Sequence, residues 1–141
     1  MSTKQTNKVS GACLCGSVEY EVDGSLSGVI YCHCTQCRKS SGHYVAATSC
    51  KREDLTVTTD NGLRWYQSSP EATRGFCEHC GSSLFWSHKD APSITIMPGS
   101  LDTPTGLKAD AHIFVADASD YYTIDDGLPQ HADYGSINAA E

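Results

Sequence analysis

Eight cysteines, seven of them in three tight clusters, constrain this 141-residue chain more than any other feature. They are Cys13, Cys15, Cys32, Cys34, Cys37, Cys50, Cys77 and Cys80. Cysteines one or two residues apart rarely form a disulfide with each other, but their sulfurs can converge on one metal ion. The N-terminal stretch has lysines without an apolar run after them, so no signal peptide is predicted and a reducing, cytoplasmic location is expected. Spacing and compartment together favour metal sites over a disulfide framework.

Length and charge narrow the classes of function. A chain of 141 residues predicts a single domain over residues 1–141, with an ordered core at about 9–131 and polar, frayed ends. No apolar run approaches the ~18 residues that a membrane span needs. The formal net charge of -7 argues against nucleic acid, whose phosphates select basic proteins. We therefore expect neither a membrane nor a nucleic-acid partner. The oligomeric state is open, and a homodimer is compatible with the sequence.

The apolar pattern predicts a mainly β fold with few short helical turns. Val18, Tyr20 and Val22 alternate with Glu19 and Glu21, which is typical of a strand with one buried face. Other short segments bounded by Gly, Pro, Asp and Ser are further strand candidates. They are VIYCH, YVAATS, LTVTT, RWYQS, RGFC, SLFWS, SITIM, AHIFV and YYTI. One helical turn is predicted over residues 35–40, with Thr35 as its N-cap.

The first and third cysteine clusters share a following glycine. Gly16 follows Cys15, and Gly81 follows Cys80. A tight turn there would point backbone N–H groups at the sulfurs, and glycine tolerates the positive φ that such turns need. We therefore pair the two clusters into one closed, structural zinc site. Its four ligands would be Cys13, Cys15, Cys77 and Cys80.

The middle cluster has three cysteines, Cys32, Cys34 and Cys37, and needs a fourth ligand. Three protein ligands with one exchangeable position are typical of a catalytic zinc site. The fourth ligand could instead be a protein side chain, Cys50 or His43, which would make the site structural. A crossed assignment, with the first cluster sharing two cysteines of the middle one, is also open on spacing alone.

Basic residues flank the clusters of this acidic protein. Arg38 and Lys39 follow Cys37, and Arg74 precedes the third cluster by three residues. A solvated surface position is the common fate of such residues. Arg38 nevertheless lies beside the middle cluster, where it is the best candidate to bind an acidic ligand. His33 should face away from its cysteine neighbours if the segment is extended, which predicts packing rather than metal ligation.

Three ordered motifs resemble those of the glutathione-dependent formaldehyde-activating enzyme family, which includes the centromere protein V domain. They are GACLCGSVEYEV, CHCTQCRKSSG and RGFCEHCGSSLFW, with GSLD, AHIF and DGLP further on. The match runs from about Gly11 to His131. The resemblance implies a β-tent fold of several small antiparallel sheets around zinc sites. It also implies two Zn²⁺ per chain, one structural on the first and third clusters and one catalytic on Cys32, Cys34 and Cys37.

The family's named reaction adds glutathione to formaldehyde, giving S-hydroxymethylglutathione, which is formally a carbon–sulfur lyase reaction run backwards. The resemblance therefore implies a small-molecule thiol, glutathione first, as partner. A zinc ion held by three thiolates suits such a ligand because it binds soft donors readily. Cys50 lies outside the family pattern.

Two other classes of function are compatible with the same motifs. One is a zinc-stabilised β-tent binding module in which the middle cysteines are structural, since fold alone does not fix function. The other is a redox or metal-handling protein that uses exposed thiols. The three-cysteine cluster beside basic residues favours the enzyme.

Overall fold

The structure, a computed structural model, describes residues 8–134. The frayed ends expected at residues 1–8 and 132–141 therefore fall largely outside the described residues. The chain divides into two compact units. The first unit comprises Met1–Ser27 and Thr48–Gly106, and the second comprises Gly28–Ala47 and Leu107–Glu141.

Strands dominate the secondary structure, as the apolar pattern predicts. The strands are β1 (Lys8–Ala12), β2 (Val18–Asp23), β3 (Val29–Cys32), β4 (Val45–Lys51), β5 (Leu55–Asp60), β6 (Leu63–Gln67), β7 (Ala72–Cys77), β8 (Ser83–His88), β9 (Ser93–Ile96) and β10 (Ala109–Ile113). Helix α1 spans Thr35–Ser41, and single 3₁₀ turns occur at Arg52–Asp54, Pro98–Ser100 and Val115–Asp117. Within residues 8–134, no helix has the length and apolar character needed to cross a membrane.

The first unit contains a three-stranded antiparallel sheet in the order β1-β2-β5. The alternation predicted for β2 is confirmed, because Val18, Tyr20 and Val22 are almost fully buried. Glu19 on the opposite face is exposed. The Tyr20 ring packs edge-to-face on Phe85, with ring centroids 5.2 Å apart. This contact belongs to the core of the first unit.

Four further strands of the first unit form an antiparallel ladder with the end of β4. Residues 48–51 of β4 pair with β9, which is followed across the ladder by β8, β7 and β6. Leu84 and Phe85 of β8 and Ile96 of β9 have side chains that are at most 1% exposed. The ladder places Cys77 at the last position of β7, next to the turn that carries Cys80.

The second unit is built around β3. This strand pairs antiparallel with residues 45–47 of β4 and parallel with β10. Residues 129–131 run beside β10, where the Gln130 backbone forms a parallel bridge with His112. Helix α1 follows β3 after two residues. The order strand–turn–helix brings Cys32, Cys34 and Cys37 together, since they lie at the end of β3, before α1 and in its first turn.

Two local predictions differ from the structure. The helix cap is Cys34 rather than Thr35, because the Cys34 sulfur accepts a hydrogen bond from the Cys37 backbone N–H. The segment YYTI is irregular rather than a strand. Its first two residues, Tyr121 and Tyr122, direct their hydroxyls to histidine side chains. Hydrogen bonds from these two side chains, rather than backbone strand pairing, hold the segment in place.

Candidate functional site

The first group of cysteines lies within the first unit. The sulfurs of Cys13, Cys15, Cys77 and Cys80 all lie within 4.8 Å of one another. Cys15 Sγ is 3.8 Å from both Cys13 Sγ and Cys77 Sγ. Four sulfurs at a Zn–S distance of about 2.3 Å on a tetrahedron are about 3.8 Å apart, so the donor set has the dimensions of a zinc site.

Two glycine turns hold these sulfurs, as the motif predicts. Gly16 has φ of 84° and Gly81 has φ of 80°. The Gly81 N–H donates to the Cys77 carbonyl at 2.7 Å, closing a tight turn. Nearby, the Val18 N–H donates to Cys13 Sγ at 3.3 Å. A residue with a Cβ would be strained at either glycine because positive φ disfavours L side chains.

Serine hydroxyls next to the first group favour thiolates at its exposed side. Ser82 Oγ lies 3.2 Å from Cys80 Sγ and lowers the pKa of Cys80 to about 5. Hydrogen bonding to Ser17 likewise lowers the pKa of Cys15. Burial has the opposite effect on Cys77, raising its pKa to about 11. A bound cation would remove that cost by pairing with the buried thiolate.

Gly62 packs against the first group, a contact that the cysteine motifs do not predict. A Cβ at this position would lie 2.6 Å from Cys77 Sγ. The Gly62 N–H donates to the Ser17 carbonyl, and the Gly62 carbonyl accepts from the Glu78 N–H. The backbone of residue 62 therefore packs directly against the buried sulfur. Sequence reasoning identified Gly62 only as a break between strands, because no short motif connects it to the cysteines.

The second group lies within the second unit. The sulfurs of Cys32, Cys34 and Cys37 lie within 4.8 Å of one another, and Cys37 is buried. The three thiols hydrogen-bond with one another, which lowers the pKa of Cys34 and raises that of Cys32. The lowered pKa favours a thiolate at Cys34, the residue that also caps α1. Three converging sulfurs that already favour a thiolate fit a soft divalent cation.

No fourth protein ligand joins the second group within residues 8–134. Cys50, one of the two candidates for that role, belongs to the first unit and is 4% exposed. Burial, with the nearby Asp54 and Glu53 carboxylates, raises its pKa to about 11. His43, the other candidate, instead has its Nδ1 2.5 Å from the Tyr121 hydroxyl. The crossed assignment of cysteines is not seen either, because the two groups contain different residues.

The three basic residues singled out from the sequence have different surroundings. Arg38 is partly buried in α1, and its Nε is fully buried without a hydrogen-bond partner among the described residues. Lys39 is exposed to solvent. Arg74 lies on β7 in the first unit. Arg38 alone therefore combines a position beside the second group with an unused buried donor, which costs free energy unless a ligand accepts from it.

A hydrogen-bonded chain of polar side chains starts at His33, which lies between Cys32 and Cys34 in the sequence. His33 Nδ1 is 2.6 Å from the Tyr122 hydroxyl, and His33 Nε2 is 2.8 Å from His112 Nδ1. His112 Nε2 is in turn 2.8 Å from Asp126 Oδ2. Both imidazoles are almost fully buried, at 0% and 1% exposure. The Tyr44 ring packs against His33, with centroids 4.4 Å apart. His33 is thus a packed, hydrogen-bonded residue, as expected.

Comparison with known protein families shows to which family the chain belongs. A model of the family described as "Glutathione-dependent formaldehyde-activating enzyme" matches residues 8–117, which includes both cysteine groups. The chain belongs to this family. A Schizosaccharomyces pombe protein named an uncharacterized lyase is 26% identical over 113 residues, covering 79% of this chain and 82% of that protein. A family assignment and a relative with such a name support a lyase-like role.

A solved structure has a similar fold. A crystal structure of a Rhodobacter sphaeroides protein superposes with a TM-score of 0.59 at 21% identity, covering 86% of this chain and 98% of that chain. At that identity the likeness concerns the fold alone. The match agrees with the mainly β architecture described above.

Three residues that are hydrogen-bonded in one series with His33 were not predicted from the sequence. They are His112, Asp126 and Tyr122. His112 lies 79 residues from His33 in the sequence, so no local spacing reveals their contact. One signal was available. The AHIF segment places a histidine inside an apolar strand, where a buried polar group needs a hydrogen-bond partner.

Cys50 should be dispensable for metal binding. Replacing Cys50 by Ala should leave both metal ions bound and lower the free energy of unfolding by only about 1–2 kcal/mol, the cost of a small cavity. Metal analysis and thermal unfolding of the purified variant would check this. A fall from two ions to one would contradict the structure by showing that Cys50 is a ligand.

Proposed function

We propose that this protein is a zinc-dependent carbon–sulfur lyase-type enzyme that acts on adducts of glutathione, or of a related thiol, such as S-hydroxymethylglutathione. One observation supports this best. Cys32, Cys34 and Cys37 converge without a fourth protein ligand in the described chain. Their arrangement differs from the closed four-cysteine group, and the difference parallels that between catalytic and structural zinc sites.

The sulfur donor set suits the proposed chemistry. A zinc ion on these three cysteines would accept a thiol as fourth ligand and would lower the pKa of that thiol, so that it is ionised at neutral pH. The protein must then hold the ionised sulfur close to the aldehyde, because proximity lowers the barrier to the bimolecular addition.

Arg38 supplies positive charge that would offset the net negative charge of such a site. Three thiolates around one Zn²⁺ carry a net charge of about -1, and a fourth thiolate makes it about -2. The Arg38 guanidinium follows directly after Cys37, and its Nε has no protein partner in the described chain. The Arg38 guanidinium would form a charge-assisted hydrogen bond with a carboxylate of glutathione. We assign Arg38 to binding the thiol ligand.

The reaction itself is a reversible addition. In the condensing direction the thiolate sulfur forms a bond to the formaldehyde carbon, and the carbonyl π pair moves to the oxygen. That oxygen then takes a proton to give the hydroxyl of S-hydroxymethylglutathione. In the reverse direction the hydroxyl proton is lost and the carbon–sulfur bond breaks. No oxidant or reductant is needed in either direction.

Cobalt substitution tests the thiol assignment. Adding glutathione to the cobalt-substituted protein should increase the sulfur-to-metal charge-transfer bands and give a tetrahedral four-sulfur ligand-field spectrum at the second group. Arg38→Ala should need about tenfold more glutathione for the same change, because one charge-assisted hydrogen bond is lost. Lys39→Ala is the matched control, since the neighbouring cation is exposed and should matter less.

Two results would contradict the assignment of glutathione and of Arg38. If the bands ignore millimolar glutathione but respond to hydroxamates or carboxylates, glutathione is not the ligand of this site. Equal weakening in Arg38→Ala and Lys39→Ala would show a diffuse electrostatic effect rather than a contact with Arg38.

A further inference from the structure

We infer that Asp126 is a positioning residue: through His112 and His33 it fixes which way the Tyr122 hydroxyl donates. The four side chains form one continuous hydrogen-bonded series within the second unit, with heavy-atom distances of 2.8, 2.8 and 2.6 Å from Asp126 to Tyr122. This series is distinct from the cysteine ligands. It ends at Tyr122, which also lies within electrostatic range of Arg38.

The polarity of the series follows from Asp126. A carboxylate only accepts hydrogen bonds, so His112 must carry its proton on Nε2. In a neutral ring, His112 Nδ1 is then an acceptor, and it accepts a hydrogen bond from the Nε2–H of His33. His33 Nδ1 is left as an acceptor, and the remaining donor is the Tyr122 O–H. Each link fixes the direction of the next.

Burial opposes a positive charge on either ring. His33 and His112 are 0% and 1% exposed, and a cation there would lose its hydration. The two rings also lie against each other, with centroids 5.0 Å apart, so two adjacent charges would repel. The negative charge of the series stays on Asp126, whose side chain is 43% exposed and therefore solvated.

The direction of the series determines whether the Tyr122 hydroxyl can donate to a ligand or accept from it. Its O–H is committed to His33, so Tyr122 offers a ligand an acceptor lone pair and not a donor. We assign this acceptor to a ligand hydroxyl, such as that of a hydroxymethyl thioether. That last step deepens the proposed function and rests on it, whereas the direction of the series does not.

The substitution Asp126→Asn should reverse the whole series. The Leu128 backbone N–H donates to Asp126 Oδ1 at 3.1 Å, so the amide oxygen of the variant should occupy that position. The amide N–H₂ then replaces Oδ2 and donates to His112 Nε2. His112 Nδ1–H would donate to His33, and His33 Nδ1–H to Tyr122. The Tyr122 O–H would be released toward the ligand, turning an acceptor into a donor without changing shape.

Imidazole ¹⁵N spectra of the zinc-loaded protein report this directly. Long-range ¹H–¹⁵N correlations should show both His33 and His112 protonated on Nε2 in the wild type and on Nδ1 in Asp126→Asn. Signals are assigned by their loss in His33→Gln and His112→Gln. The control is Asp125→Asn, which removes the same charge from the neighbouring exposed residue and should leave both tautomers unchanged. Unchanged tautomers in Asp126→Asn, or an imidazolium at either histidine in the wild type, overturn the inference.

Kinetics separate this inference from the proposed function. With S-hydroxymethylglutathione as substrate, Asp126→Asn and Tyr122→Phe should each reduce kcat/KM about tenfold, the size expected for one hydrogen bond. The double variant should be no slower than either single one, because the residues act as a unit. A wild type without activity would refute the proposed function while the tautomer switch still tested Asp126. An additive double variant would refute the role of the series at Tyr122.

Discussion

Replacing Cys77 with serine should unfold the protein. Cys77 is 0% exposed, its sulfur is 3.8 Å from Cys15 Sγ, and the Gly62 backbone packs against it. Structural zinc contributes of order 10 kcal/mol to small zinc domains, which is comparable to the whole stability of a typical domain. Serine ligates zinc poorly and leaves a buried hydroxyl in place of a thiolate. Circular dichroism and thermal unfolding should show the loss of the cooperative transition.

Cys50→Ser is the matched control for Cys77→Ser. Cys50 is buried in the same unit, at 4% exposure, but belongs to neither cysteine group. The same chemical change there should cost about 1–3 kcal/mol, the penalty for a buried hydroxyl, and leave the fold intact. Equal losses in the two variants would mean that the four-cysteine group contributes nothing beyond burial, and the structural zinc site would be refuted.

Cys34→Ser should have the opposite outcome: a folded protein without activity. Serine is among the preferred N-cap residues, so its hydroxyl can accept from the Cys37 N–H as the sulfur does. Helix α1 should therefore form as before. The metal group, however, loses one of its three sulfurs. We expect at least a hundredfold loss of S-hydroxymethylglutathione formation and one metal ion per chain instead of two.

Cys34→Ala separates the two roles of this residue. Alanine removes the metal ligand and the cap together, so its free energy of unfolding should fall below that of Cys34→Ser by about 1 kcal/mol, with the same loss of activity. If Cys34→Ser unfolds as completely as Cys77→Ser, the second group is structural. The protein would then be better described as a zinc-stabilised binding module than as an enzyme.

The features that sequence reasoning predicted well are those with local causes. Residues 18–22 show their buried face through simple alternation, and Gly16 and Gly81 mark turns that need positive φ. The division of the cysteines into groups of four and three follows from the same glycines. These predictions need only neighbouring residues, which is why the grouping of the sulfurs in space agrees with them.

Contacts between distant residues could not be predicted in the same way. Tyr122 reaches His33 from a segment that was predicted as a strand, and 89 residues separate the two. Asp126, which reaches His112, lies two residues beyond that segment. Gly62 contacts Cys77 only because β6 and β7 pair in one register. The Cys34 cap was also missed, since Thr35 is the more familiar capping residue and a thiol was considered only as a metal ligand.

Because Cys50 belongs to neither cysteine group, the reactivity of the other seven thiols reports whether each metal site is occupied. All eight cysteines lie in the described residues, and seven of them belong to the two groups. Cys50 is protected twice, by burial and by a pKa raised to about 11, so it stays unreactive toward a thiol reagent in the folded state. Native protein with both ions bound should therefore show no fast-reacting thiol. Emptying the second group should release three thiols, and emptying the first should release its four together with Cys50, because the unit that buries Cys50 unfolds. A colorimetric thiol titration thereby becomes a count of vacant metal sites and says which of them has lost its ion.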